Sequence, residues 1–192
     1  MRRIINVVFS VILSLNGATF FGQSNTDERV MEINKNRKMA DFILKLGMKS
    51  QDAGDYSQSL LSFDKSLLLY NSLGKSQKVG DYYSYKSVTY YYHADYLNAL
   101  LFFKESNEVY KRIKYKKGIS SILNNIGGVY YSLGNYLDAL NYYKQAIVVQ
   151  EELNDTKMIA AASQNIGGIY SQVGDYPNAL KYYNKSYLIY KN

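Results

Sequence analysis

Five positions return four times along this chain at a fixed spacing of 40 residues. Gly134, Asn135, Tyr136, Ala139 and Leu140 recur as Gly174, Asp175, Tyr176, Ala179 and Leu180. Upstream they recur as Ala94, Asp95, Tyr96, Ala99 and Leu100, and as Gly54, Asp55, Tyr56, Ser59 and Leu60. No insertion interrupts the series. A period in the range of about 20 to 50 residues marks a solenoid, in which each unit buries its apolar surface mainly against its neighbours.

Inside a unit the apolar spacing is helical. Ile126, Tyr130 and Leu133 fall on one helix face, and Leu140, Tyr143 and Ile147 on another. Between them Gly134 can take the left-handed conformation that ends a helix, and Asn135 can cap the next helix through its side-chain oxygen. Gly174 and Asp175 repeat that chemistry. Pro177, the chain's one proline, fits there because a first-turn N–H has no helical partner to lose. Upstream, Ser24, Asn25 and Thr26 offer capping oxygens for a helix that meets no breaker before Gly54.

Three columns stay small in every unit: Gly47, Ser87, Gly127 and Gly167; Ser59, Ala99, Ala139 and Ala179; Ser66, Ser106, Ala146 and Ser186. Small side chains at these places let antiparallel helices approach closely, and the serines can return their hydroxyls to the preceding turn. These columns resemble the tetratricopeptide repeat, in its longer variant found in kinesin light chains and bacterial sensor proteins. The resemblance implies an all-α, right-handed α-solenoid of four antiparallel helix pairs. Units at 40–79, 80–119, 120–159 and 160–192 would follow a helical extension at 24–39. The second unit diverges, because Lys86 stands where the family has an apolar residue.

Residues 1–23 lie outside the repeats. Arg2 and Arg3 precede the apolar run Ile4 to Leu15 and the small and polar stretch Asn16 to Thr19, which is the layout of a secretory signal peptide. The alternative, a membrane anchor, needs about 20 apolar residues, and this run is shorter. The expectation is an exported chain, periplasmic or extracellular in a bacterium, with no stable membrane span. Losing Arg2 and Arg3 with that leader takes the formal charge from +7 to +5, a surplus that Lys111, Arg112, Lys114, Lys116 and Lys117 account for alone. One basic stretch at a helix end is better explained by the helix dipole than by nucleic acid, which wants cations spread along a face. With no Cys and a single His, thiolate chemistry and Cys- or His-built metal sites drop out.

No catalytic constellation can be assembled. His93 sits in HADY before a unit boundary and reads as a solvated turn residue. Glu151, Glu152 and Asp155 occupy the place where the second unit carries its basic run, so they read as a variable turn. The expected role is therefore non-enzymatic, without cofactor or metal: a scaffold or adaptor holding a protein or an extended peptide. In the resembling family the first helices line a concave groove, and there the aligned residues include Tyr91, Asn124, Asn125, Tyr131, Gln164, Asn165, Ser171 and Gln172. Leu44 falls in the same outward set. Asn125 and Asn165 share the column whose amide, in kinesin light chains, resembles a ladder rung for a ligand's backbone. The alternative is that each amide bonds a neighbouring helix. The groove lacks the Lys and Arg cluster of a carboxylate clamp. Two further expectations concern the carboxyl end. Tyr176, Leu180, Tyr183, Tyr187 and Tyr190 form an uncovered stripe that suits self-association. A truncated sensor half, continued by a transmembrane helix and a histidine kinase or helix-turn-helix output, is the competing role.

Overall fold

Each turn between the paired helices is built by the residues the repeat supplies. Asp55, Asp95, Asn135 and Asp175 accept the backbone N–H three residues on, at 3.0 to 3.3 Å, and so cap the second helix of each unit. The residue before each cap has positive φ, from 73° to 80° at Gly54, Gly134 and Gly174. Ala94 takes the same conformation at 57° despite its Cβ.

The computed structural model describes residues 26–72 and 77–191; the signal-like segment at 1–23 lies outside them. Eight helices form among the described residues, with no strand. The first helices of the units are α1 (Thr26–Asp52), α3 (Gln77–Tyr92), α5 (Lys116–Ser132) and α7 (Thr156–Gln172). Their partners are α2 (Tyr56–Ser72), α4 (Tyr96–Arg112), α6 (Tyr136–Glu152) and α8 (Tyr176–Lys191). The first helices open three or four residues ahead of the boundaries at 80, 120 and 160. Among the described residues no helix is long and apolar enough to cross a membrane. Arg37–Asn192 forms one compact unit, which contains every capped turn and all three small columns.

The small columns do what their size requires. A Cβ on Gly47 would meet the Phe63 ring at 2.6 Å, and on Gly127 or Gly167 the rings of Tyr143 or Tyr183 at 2.9 and 2.8 Å. The serines differ from expectation. Ser87 does return to its preceding turn, at the Tyr83 carbonyl (2.7 Å), but Ser66 and Ser106 donate across the helix pair, to the carbonyls of Ala40 (2.9 Å) and Gly80 (2.8 Å). The close approach brings a first-helix carbonyl within reach, and the hydroxyl takes it.

Tyrosine abundance has a matching cause. A ring pair stacks within each of units two to four: Tyr90 on Phe102, Tyr130 on Tyr142 and Tyr170 on Tyr182, with centroids 5.4 to 5.7 Å apart.

Candidate functional site

Lys86, the departure from the repeat, neither loosens its helix nor points away. Its ammonium meets Asp64 at 2.7 Å, lies 4.5 Å from the Phe102 ring centre, and its side chain is 11% exposed. Asp64 also accepts the Tyr82 hydroxyl at 2.6 Å. Asp64 stands where the later units have Lys104, Lys144 and Asn184, while Lys86 stands where they have Ile126 and Ile166. The two departures therefore answer each other across the α2–α3 junction.

Two further carboxylates sit on the first helices. Asp41 accepts the Tyr70 hydroxyl and stands 3.7 Å from the Lys78 ammonium. Asp81 accepts the Tyr110 hydroxyl at 2.7 Å. Burial first, then the bonded carboxylate, pushes the phenols of Tyr70, Tyr82 and Tyr110 well above their ordinary pKa.

Four of the eight expected groove residues come together. Tyr91 from α3, Asn124 and Asn125 from α5, and Asn165 from α7 line one cavity of about 240 Å³ with Val88, Tyr92, Phe103, Gly128 and Tyr143. The glycine pairs GG at 127 and 167 bear on this directly. Gly127 admits the Tyr143 ring beneath α5, and burial pushes that phenol up to about 12, with Tyr91 and Tyr131 adding smaller contributions. Tyr143 thus stays neutral at the floor of the cavity.

The amides are staggered rather than laddered in register. Asn165 Nδ2 faces Asn124 Oδ1 at 3.5 Å, an offset of 41 residues, at the outer limit for such a bond. Tyr91 and Ser132 show the same offset, with hydroxyls 3.0 Å apart. Side chains of adjacent first helices thus meet off the strict 40-residue register, here by one residue and at Asp41–Lys78 by three in the other direction. Of the other expected residues, Tyr131, Gln164, Ser171 and Gln172 are exposed on the same helices but outside this cavity. Leu44 is a correction: it is 5% exposed and belongs to the core.

The remaining singled-out residues are structural. His93 is an exposed turn residue whose ring lies 5.6 Å from Tyr56. Asp155 caps α7, Glu152 pairs with Lys116 at 2.9 Å and Glu151 with Lys185 at 3.5 Å. Lys111 and Arg112 close α4 as expected, but Lys116 and Lys117 open α5, where the dipole opposes them and Glu152 offsets the cost for Lys116. Among the described residues no group of acidic or His side chains could hold a metal. The α8 stripe stands open, with Tyr176, Leu180, Tyr187 and Tyr190 between 56% and 69% exposed.

Sequence comparison places residues 118–192 in a tetratricopeptide repeat model. No curated protein matches the chain. Solved structures share its fold. BtubC from P. vanneervenii is 19% identical with a TM-score of 0.72, over 79% of this chain and 63% of that one. MamA is 17% identical with a TM-score of 0.61, over 90% of this chain and 97% of that one. The Rap conjugation gene regulator of plasmid pLS20, in complex with the Phr* peptide, is 20% identical with a TM-score of 0.67, over 89% of this chain and 46% of that one. This chain therefore spans less than two thirds of BtubC and less than half of the Rap regulator. At these identities the likeness concerns the fold. Residues 118–192, the last two units, match the tetratricopeptide repeat family, and helix pairs of the same kind precede them.

Proposed function

We propose that this protein is a non-catalytic binding module that holds an extended segment of a partner protein against the first helices of its carboxyl half. The carrying observation is the convergence of Tyr91, Asn124, Asn125 and Asn165, from three successive first helices, on one cavity floored by Phe103 and Tyr143. An amide both donates and accepts, so it can pair with a peptide unit whatever side chain that unit carries. The weak Asn165–Asn124 contact leaves both amides free to exchange each other for a ligand backbone at little cost. A peptide-bound Rap structure of the same fold is consistent with this use.

The test is to select 12-residue peptides by display on the immobilised chain and measure their binding by calorimetry. Asn125→Ala and Asn165→Ala should each weaken a selected peptide by about 1–2 kcal/mol, as for a lost hydrogen bond, with melting nearly unchanged. Parent-like binding by both variants removes the site, as does a loss of stability that precedes the loss of binding.

Export completes the proposal and rests on the layout of residues 1–23. Residues 1 to 30 fused to a reporter active only outside the cytoplasm should give signal. The open α8 stripe adds a second contact surface, for a following helix or another copy, which sedimentation velocity would read as concentration-dependent mass.

A further inference from the structure

The repeat supplies its own control for two of the Tyr-bonded carboxylates. Asp41 and Asp81 occupy the same column, and each accepts the hydroxyl of the equivalent tyrosine, Tyr70 or Tyr110. Over Asp41 the next first helix places the Lys78 ammonium at 3.7 Å. Forty residues on, the place of Lys78 is taken by Gly118. Gly118 is enforced sterically, since a Cβ there would lie 2.5 Å from the Tyr115 ring and 2.6 Å from that of Tyr110. Where the lysine would stand there is instead a cavity of about 260 Å³, lined by Asp81, Ser84, Tyr85, Tyr110, Tyr115 and Lys117 among others. No Lys or Arg among the described residues comes within ion-pair distance of Asp81.

We propose that this cavity is a subsite for a primary ammonium group of the bound segment, seated over Asp81 as Lys78 is seated over Asp41. The chemistry fits in three respects. Tyr110 bonds one carboxylate oxygen and holds the group in place, leaving the other for a donor. Three phenol rings wall the cavity, and ring faces attract a cation that leaves water. The position of an ammonium at the opening turn of a first helix, against the dipole, already has a precedent in Lys78. Lys117 on the lining opposes the ligand's charge and so tunes the affinity downward.

The inference rests on the reading that the first-helix face holds a peptide, and it adds a specificity to it. On α3, Ser84 and Tyr85 precede Val88 by about one turn, and on α5, Ser121 and Ile122 precede Asn125 likewise. The two cavities therefore follow one another along the same pair of helices. A segment bonded at the amides can place a neighbouring lysine, or its own amino terminus, over Asp81.

Amide NMR of the whole chain can test the subsite without a known ligand. The probes are N-acetyl-lysine N-methylamide for a side-chain ammonium, glycine N-methylamide for an amino terminus, and N-acetyl-norleucine N-methylamide as the uncharged control. At least one ammonium probe should shift the Gly118 and Ser121 amides saturably, and which one does identifies the source, while the norleucine probe should not. Asp81→Asn keeps an acceptor for Tyr110 and should weaken the effect about tenfold or more, as for loss of a charged hydrogen bond. Lys117→Ala should tighten it by about two- to fivefold, the range for an exposed like charge. Equal shifts with the norleucine probe, indifference to Asp81→Asn in a variant that melts like the parent, or no shift from either ammonium overturns the subsite. If selected peptides still depend on Asn125 and Asn165 in that event, the peptide reading stands without it.

Discussion

The two halves of the repeat array carry the same backbone on different interiors. In the amino half the helices are tied by polar pairs: Asp64 with Lys86 and Tyr82, Asp81 with Tyr110, Ser59 with Thr89 at 3.2 Å, and Ser66 and Ser106 on first-helix carbonyls. In the carboxyl half the equivalent places hold Ile122, Ile126, Ile166, Ala139 and Ala162, all 0% or 1% exposed. What the halves share is the turn chemistry and the small columns, so these set the fold. The side chains between them can be apolar, or polar and paired as Asp64, Lys86 and Tyr82 are. The family model matches residues 118–192, the half that solves the problem with aliphatic side chains.

Alkaline pH should separate the halves most. A phenol whose folded pKa lies above its unfolded value of about 10 lends stability that is complete below pH 10 and is lost as pH rises from there toward the folded value. Tyr70, Tyr82 and Tyr110 are raised furthest and lie in the amino half, whereas Tyr143 at about 12 is the corresponding case in the carboxyl half. Hydrogen exchange at rising pH is expected to open α2 to α4 before α6 and α7. Simultaneous opening would mean that the two interiors are one cooperative unit.

The α2–α3 junction offers the next largest effect. Asp64→Ala strands the Lys86 ammonium and the Tyr82 hydroxyl, at an expected cost of roughly 2–3 kcal/mol, below the 3–5 of a fully buried pair because Asp64 is half exposed. The triple change D64K/Y82I/K86I writes in the pattern of the following junction, Lys104, Ile122 and Ile126, and should recover most of that loss in urea unfolding. If the single change is harmless, the pair is ornamental and the amino half is held by its shape alone.

The smallest effect lies inside the carboxyl half. Gly127→Ala and Gly167→Ala bring a Cβ to nearly the same distance from a tyrosine ring, but Tyr143 is 4% exposed beneath the next unit while Tyr183 is 41% exposed. The pinned ring cannot swing away, so Gly127→Ala should cost about 1–3 kcal/mol and Gly167→Ala less than about 1. Equal melting shifts would show that Tyr183 is held as firmly as Tyr143.

Much of this was legible in the chain before any coordinates, because the informative features are local or repeat in step. Capping by Asn135 and Asp175, positive φ at Gly134 and Gly174, Pro177 in a first turn, and ring contact beneath Gly127 and Gly167 all depend on a few neighbouring residues. The site was half legible. The column of Asn125 and Asn165 was visible in the period, but its meeting with Asn124 and Tyr91 was not, since it depends on how neighbouring first helices pack. Leu44 was misplaced because its column carries the polar Ser84, Asn124 and Gln164 in the later units, whereas this apolar side chain is buried.

By itself, then, the sequence determined the helix pairs, their turns and the positions that must stay small, since steric exclusion and backbone capping act within one unit. The tertiary structure alone decided what the polar residues do. Lys86 finds Asp64, Ser66 crosses to Ala40, and Gly118 opens a cavity over Asp81 because those partners lie 22, 26 and 37 residues apart, brought together by the stacking of one helix on another. A side chain's electrostatic partner is set by that stacking, which the spacing of residues along one helix does not contain.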